Sequence, residues 1–237
     1  MSKFVSIILS AGRGKRMGSD TPKQYLELNG KPVLYYSIKA FSDSSVDSII
    51  IVTGSADIDY VRSSIVDKYA FNKVSAIVAG GNERYDSVYN GLTEAQSQGA
   101  DYVIIHDGAR AFTSQETITA CMENVVATGA CIAGMPVTDT IKVVDDSSII
   151  VGTPPRSTLW MAQTPQCFEA NLAYTSYKTM IESGVPAGIT DDAQVVEMYG
   201  GVDSVMVKAS YDNIKITTPS DLIIGQAILA PRWCLSP

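Results

Sequence analysis

The sequence predicts an α/β protein: a doubly wound, mostly parallel sheet with helices on both faces and a projecting β-hairpin arm. Compact apolar runs of strand length recur along the chain. Amphipathic stretches with helix start and stop signals lie between them. The alternation breaks only once, at a segment that reads as a hairpin, so residues 1–237 form one domain with an inserted arm at about 138–155.

In chain order, FVSIIL opens the sheet and is followed by SIIIVT (48–53), VSAIVA (74–79), YVIIHD (102–107) and ACIAGMPV (130–137). These runs are short and apolar throughout, as strands buried on both faces are. The intervening helices are PVLYYSIKAF with Pro32 in its first turn, an amphipathic stretch from Asp57 to about Tyr69, and Arg84 to Gln98 closed by Gly99. Another runs from Ser114, with Thr117 three residues on, to about Gly129. Between Thr138 and Pro155 two strand-like runs flank an Asp-Asp-Ser-Ser turn and end in a proline pair. Alternation then resumes with helices from about Glu169 and after Thr190, a strand SVMVKA (204–209), and a last helix after Pro219.

Composition excludes several function classes. The chain is 46% hydrophobic with a formal net charge of −7, its pI is near 4.7 and its mean hydropathy is +0.10. An acidic surface opposes general nucleic-acid or anionic-membrane binding. The apolar opening is short and ends in cations rather than a cleavage site, and no segment approaches the roughly 18 apolar residues of a spanning helix. The sequence therefore predicts a cytoplasmic protein with no nucleic-acid or membrane partner. Cys121, Cys131, Cys167 and Cys234 show no paired metal spacing, and His106 is the sole histidine.

Against that acidic background, Arg13, Lys15, Arg16 and Lys23 crowd into eleven positions around LSAGRGKRMG. The loop leaves the first strand at the sheet edge where ligands of open parallel sheets bind. Glycines let amides converge on an anion, and the cations neutralise it. The spacing fits neither common nucleotide loop. Met17 stands where a dinucleotide fingerprint needs its third glycine, and Gly18 is followed by Ser-Asp rather than Lys-Ser/Thr.

The stretch LSAGRGKRMGSDTPKQYLELNGKPVLYYSIKAF resembles the signature of sugar-nucleotide-type nucleotidyltransferases. Together with AGGNERYDSVYNGL, IIHDGARAF, PVTDTIKVV, LWMAQTPQCF, TDDA and DNIKITTP, in that order over about residues 4–230, it resembles the 2-C-methyl-D-erythritol 4-phosphate cytidylyltransferase family. The chain departs from that family's usual pattern at Asn82, Ala111 and Pro154–Pro155.

The resemblance implies a Rossmann-like fold of the nucleotide-diphospho-sugar transferase type. It also implies a reaction in which a phosphate-monoester oxygen attacks the α-phosphorus of CTP and expels pyrophosphate. An ionised phosphate needs no general base, which agrees with a lone histidine and no nucleophilic triad. By the same resemblance, Arg16, Lys23 and Lys215 are catalytic, and Ser10, Ala11, Gly12, Arg13 and Gly14 cradle the triphosphate. Gly81, Asn82 and Ser87 would read cytosine. Arg84 would hold either the nucleotide or the fold, and residues alone do not separate these. Asp107 would bind both substrates and a Mg²⁺ ion or another divalent cation. Arg110, Thr190 and Lys215 would hold an alditol phosphate, with Thr140 and Arg156 reaching it from the arm of a neighbouring subunit, which implies a homodimer. His106 reads as a packed strand-end residue. Rival readings are a ribitol-5-phosphate cytidylyltransferase or related nucleotidyltransferase, and a non-catalytic nucleotide-binding module.

Overall fold

The structure, a computed structural model, describes residues 2–12, 17–18 and 21–230. Arg13, Gly14 and Arg16, which the sequence assigns to the site, lie outside the described residues, as does Cys234. Seven strands form the central sheet: β1 (Phe4–Ser10), β4 (Ser48–Thr53), β5 (Val74–Ala79), β6 (Tyr102–Asp107), β7 (Ala130–Pro136), β10 (Trp160–Glu169) and β11 (Val205–Lys208). Their order is β11-β7-β10-β6-β1-β4-β5. All run parallel except β10, which is antiparallel to both β6 and β7.

Each apolar run splits by a period of two, as a strand dictates. Ile8, Ile49, Ile51, Ile104, Cys131 and Ala133 face one layer, built from α1 (Val33–Ser42) and α4 (Gln115–Thr128). Val5, Ile7, Ile50, Val52, Val103, Ile105 and Ile132 face the other, built from α3 (Arg84–Ser97) and α5 (Ala170–Ser183). The isoleucines of both layers have no exposed surface or nearly none, and each one fully removed from water contributes about 2 kcal/mol. In α3, Gly91 lets the helix meet the sheet: a Cβ there would stand 2.5 Å from Ile7 Cγ2.

The shorter elements follow local chemistry. Asn29 and Gly30 both take positive φ and close a two-residue hairpin between β2 (Glu27–Leu28) and β3 (Lys31–Pro32). The sequence reading overlooked this Asn-Gly signal, and α1 begins one residue later than expected because Pro32 belongs to β3. The stretch from Asp57 is a short helix, α2 (Ile58–Val61), continued by a wider π-type turn over Arg62–Asp67. The helix after Thr190 behaves likewise, with α6 (Asp192–Val195) running into a π-type turn over Val196–Gly200. The last helix is α7 (Pro219–Leu229), with Thr218 and Asp221 forming a capping box.

The expected hairpin is present as β8 (Val143–Val144) and β9 (Ile150–Gly152), bonded in the register Val143↔Gly152 and Val144↔Ile150. Two readings need correction. LWMAQTPQCF contains a full central strand, β10, which has no clean apolar run because Gln163, Thr164 and Gln166 interrupt it. DNIKIT, read as strand-like, joins no ladder; Ile216 N–H donates to the Ala109 carbonyl at 2.8 Å.

Candidate functional site

At the carboxyl edge of β1 and β6 lies a cavity of about 230 Å³. Ser10, Ala11, Gly12 and Lys23 form one side of it, and Gly81, Asn82, Arg84 and Ser87 the other. Asp107 and Lys215 complete the wall. Ten of the residues named from the sequence, from four separated stretches, thus line one cavity. A second, wider hollow of about 770 Å³ shares Ala11, Gly12, Gly81 and Asn82, and extends towards Asp57 and Asp86. Both share Gln24, which the sequence reading did not select; buried at 3% exposure, it donates through Nε2 to the Ser10 carbonyl at 2.6 Å and so ties the turn at Lys23–Tyr25 to the end of β1.

Small residues set the shape of the walls. A Cβ on Gly80 would meet the Ala11 Cβ at 2.5 Å and Ser87 Oγ at 2.8 Å. Gly81 N–H donates to Ser87 Oγ at 3.1 Å, and that hydroxyl donates to the Glu83 carbonyl at 3.2 Å. Ser87 is thereby fixed at the start of α3, whose own end is closed by the Glu83–Asp86 capping box.

Charge concentrates on Asp107, the last residue of β6. Lys215 Nζ lies 2.7 Å from its Oδ2, Arg84 Nε 3.8 Å from Oδ1, and Arg110 Nε 3.9 Å from Oδ2. Burial by itself would raise the pKa of this carboxyl. Arg84, then Lys215, then Arg110 overcome that and hold it well below the usual carboxylate range. Arg84 in turn places both terminal nitrogens on Asp192, each at 2.7 Å. Desolvation opposes its charge, but Asp192 more than compensates, and its pKa stands well above the ordinary value. Burial lowers the pKa of Arg110. Arg110 Nη1 donates to the Asn213 carbonyl at 2.8 Å, whereas its buried Nε has no hydrogen-bond partner among the described residues.

His106 is fully committed to the fold. The Arg110 carbonyl can only accept, so His106 Nε2 carries the proton and donates to it at 3.0 Å. Nδ1 then accepts from Thr164 Oγ1, 3.0 Å away, and that hydroxyl accepts from the Asp107 N–H at 3.1 Å. Burial brings the His106 pKa down to about 4, so the ring is neutral near pH 7.

Four predicted residues line neither hollow: Arg110, which reaches Asp107 from behind the wall, and Thr190, Thr140 and Arg156. Thr190 is exposed, and its N–H and Oγ1 both bond Gln194 Oε1. Thr140 and Arg156 stand exposed on the arm, where Arg156 Nη1 donates to the Thr138 carbonyl at 2.7 Å. A buried residue the sequence reading missed is Gln166. Its Oε1 accepts from the N–H groups of Asp192 and Ala193, and its Nε2 donates to Asp191 Oδ2, locking β10 to the start of α6. A polar residue inside an otherwise buried run was the available signal.

Two metal placements can be compared by their chemistry. A hard dication on a triphosphate needs one or two protein carboxylates, and Asp107 meets that requirement at the cavity wall. The sulfurs of Cys121, Cys131 and Cys167 converge within 4.8 Å of one another, a grouping that their sequence spacing hides because three elements supply it. All three are fully buried in the aliphatic layer under α4, the surroundings of small apolar side chains packed as core.

Comparison with known proteins adds a family to this geometry. The family model described as IspD, 2-C-methyl-D-erythritol 4-phosphate cytidylyltransferase, matches residues 4–231. A protein of that name from Lachnospira eligens is 50% identical over 225 residues, covering 94% of this chain and 98% of the relative. One from Clostridium botulinum is 48% identical with the same coverage. Among solved structures, the 4-diphosphocytidyl-2C-methyl-D-erythritol synthase of Anaerococcus prevotii superposes with a TM-score of 0.84 at 31% identity, covering 97% of each chain. The Francisella tularensis 2-C-methyl-D-erythritol 4-phosphate cytidylyltransferase gives 0.79 at 30% identity, covering 96% of this chain and all of that one.

Proposed function

The chain belongs to the 2-C-methyl-D-erythritol 4-phosphate cytidylyltransferase family, and we propose that the cavity at the β1 and β6 edge is where it joins CTP to 2-C-methyl-D-erythritol 4-phosphate. The products are 4-diphosphocytidyl-2-C-methyl-D-erythritol and pyrophosphate, and the reaction serves isoprenoid precursor synthesis. The observation that carries this reading is the charge cluster: one ionised aspartate ringed by three cations, on the wall of a cavity whose loop side adds Lys23.

An oxygen of the alditol phosphate attacks the α-phosphorus, and the bond to the departing pyrophosphate breaks. Both reactants are anions, so the protein's task is to hold them together and to neutralise charge that builds on phosphorus. Lys23, Lys215 and Arg16 supply that neutralisation, while Ser10, Ala11, Gly12, Arg13 and Gly14 cradle the triphosphate. Ala11, Gly81 and Ser87 leave room for a pyrimidine beside the Gly80 backbone, with Asn82 at its edge. A divalent cation, Mg²⁺ in this reading, screens the phosphates when bound, and Asp107 is the carboxylate that would hold it. Arg110, with its unused Nε–H, suits the monoester of the second substrate, as does Thr190 on the segment before α6.

We read residues 1–237 as one domain with its arm inserted, working as a cytoplasmic homodimer. The arm supports this. Ile149, Ile150 and Val151 are exposed at 62%, 59% and 62%, and Ile141, Val143 and Val144 are exposed beside them. An apolar surface of that size is expected to be covered, and covering it with a second copy would carry Thr140 and Arg156 to the partner's substrate. The test is to incubate purified protein with CTP, Mg²⁺ and a panel of alditol and sugar phosphates and to follow pyrophosphate release. Turnover confined to methylerythritol phosphate supports the reading. Turnover with ribitol 5-phosphate instead, or nucleotide binding without turnover on any acceptor, overturns it.

A further inference from the structure

Asp192 lies behind the cavity wall, lines neither hollow, and is a charged residue with no exposed surface. Burying a carboxylate is costly unless it is fully paired. Here the pairing is complete: Asp192 accepts both terminal nitrogens of Arg84 and the Tyr177 hydroxyl, and its N–H donates to Gln166. The geometry has a directional consequence. Arg84 lines the cavity, yet its fork points away from it, and only Nε faces Asp107, at 3.8 Å, beyond hydrogen-bond length. An arginine fork is the side chain best shaped to seize a carboxylate or phosphate with two parallel bonds. Left free at this position, it has Asp107 as its nearest carboxylate.

We propose that Asp192 is a positioning residue that acts by withholding: it holds the Arg84 fork so that Arg84 lends charge to Asp107 without closing on it. Asp107 then keeps its lone pairs for Lys215 and for the bound reactants. The inference rests on the cavity being the nucleotide site.

Replacing Asp192 with asparagine keeps the shape, removes one negative charge and loosens the fork. Turnover falls about 10²-fold, as for displaced reacting groups, while CTP binding measured by calorimetry tightens roughly 2- to 10-fold through the charge change and the freed guanidinium. Removing the freed side chain reverses part of the loss, so D192N/R84M turns over faster than D192N alone. A purely structural Asp192 gives the opposite pattern: CTP binding weakens, and the two changes add or worsen each other. Tyr177→Phe covers the case in which D192N does not fold. It removes one donor to Asp192 and leaves both charges, and it produces a smaller fall in turnover with unchanged or tighter CTP binding; weaker CTP binding with normal turnover overturns the proposal. Should the wild-type protein fail to bind CTP at all, the nucleotide assignment itself falls, and that result is distinguishable from a variant that merely behaves additively.

Discussion

Lys23 and His106 mark the two uses of charge in this site. Lys23 stands on the cavity wall directly after Pro22, in a short 3₁₀ turn, where its ammonium can meet charge developing on the leaving group. Lys23→Ala therefore lowers kcat about 10²- to 10³-fold while CTP affinity changes by less than about 3-fold; equal losses in calorimetric affinity and turnover would reduce it to a binding residue. His106 is the contrary case, a titratable ring kept neutral. Its folded pKa of about 4 lies below the ordinary 6.5, so between those values the unfolded chain binds the extra proton and stability rises with pH. The stabilisation is complete above pH 6.5 and is lost as the pH falls towards 4, by about 3 kcal/mol in total. Denaturant unfolding of the metal-free protein at pH 7 and pH 4.5 measures this, and His106→Asn flattens the dependence across that window.

Most elements were legible because burial on both faces leaves a simple trace. The runs at 48–53, 74–79 and 102–107 coincide with β4, β5 and β6 residue for residue. Ser114 caps α4 through the Thr117 N–H, and Gly129 ends it in the left-handed conformation, as their residue types foretell. β10 escaped for a physical reason. Its buried positions carry Gln163, Thr164 and Gln166, which serve neighbours in other elements rather than the apolar layers, so local hydrophobicity is silent. The site was legible in part. Lys23 stands out as a cation behind Pro22 close after the glycine loop, Asp107 as a carboxylate at a strand end and Lys215 as a charge in an apolar run, whereas the partnership of Arg84 with Asp192 spans 108 positions and leaves no local sign. The arm carries its own test. Arg156→Ala raises the KM for the alditol phosphate about 10- to 100-fold, the worth of charge-assisted bonds to a phosphate, with CTP binding nearly intact; a change in CTP affinity of similar size would place Arg156 elsewhere.

At the scale of the whole molecule, the two helical layers make the sheet self-sufficient, and the longest run of exposed aliphatics lies on the arm, with a smaller exposed pair, Ile223 and Ile224, on α7. Ile150→Asp puts a charge into that surface, and sedimentation of the variant is expected to show a monomer that keeps its fold and loses turnover. A dimer of undiminished activity would move the interface off the arm. The reversed course of β10 explains why these two properties are expected to travel together. β7 finishes where β10 starts, Pro136 opposite Trp160, so whatever is spliced between them must sprout from the rim that also holds Asp107. A parallel strand in that slot would have sent the insertion to the far end. In the proposed homodimer, association and chemistry share one mouth, and a small molecule that wedges the arms apart is expected to silence both subunits without touching either cavity.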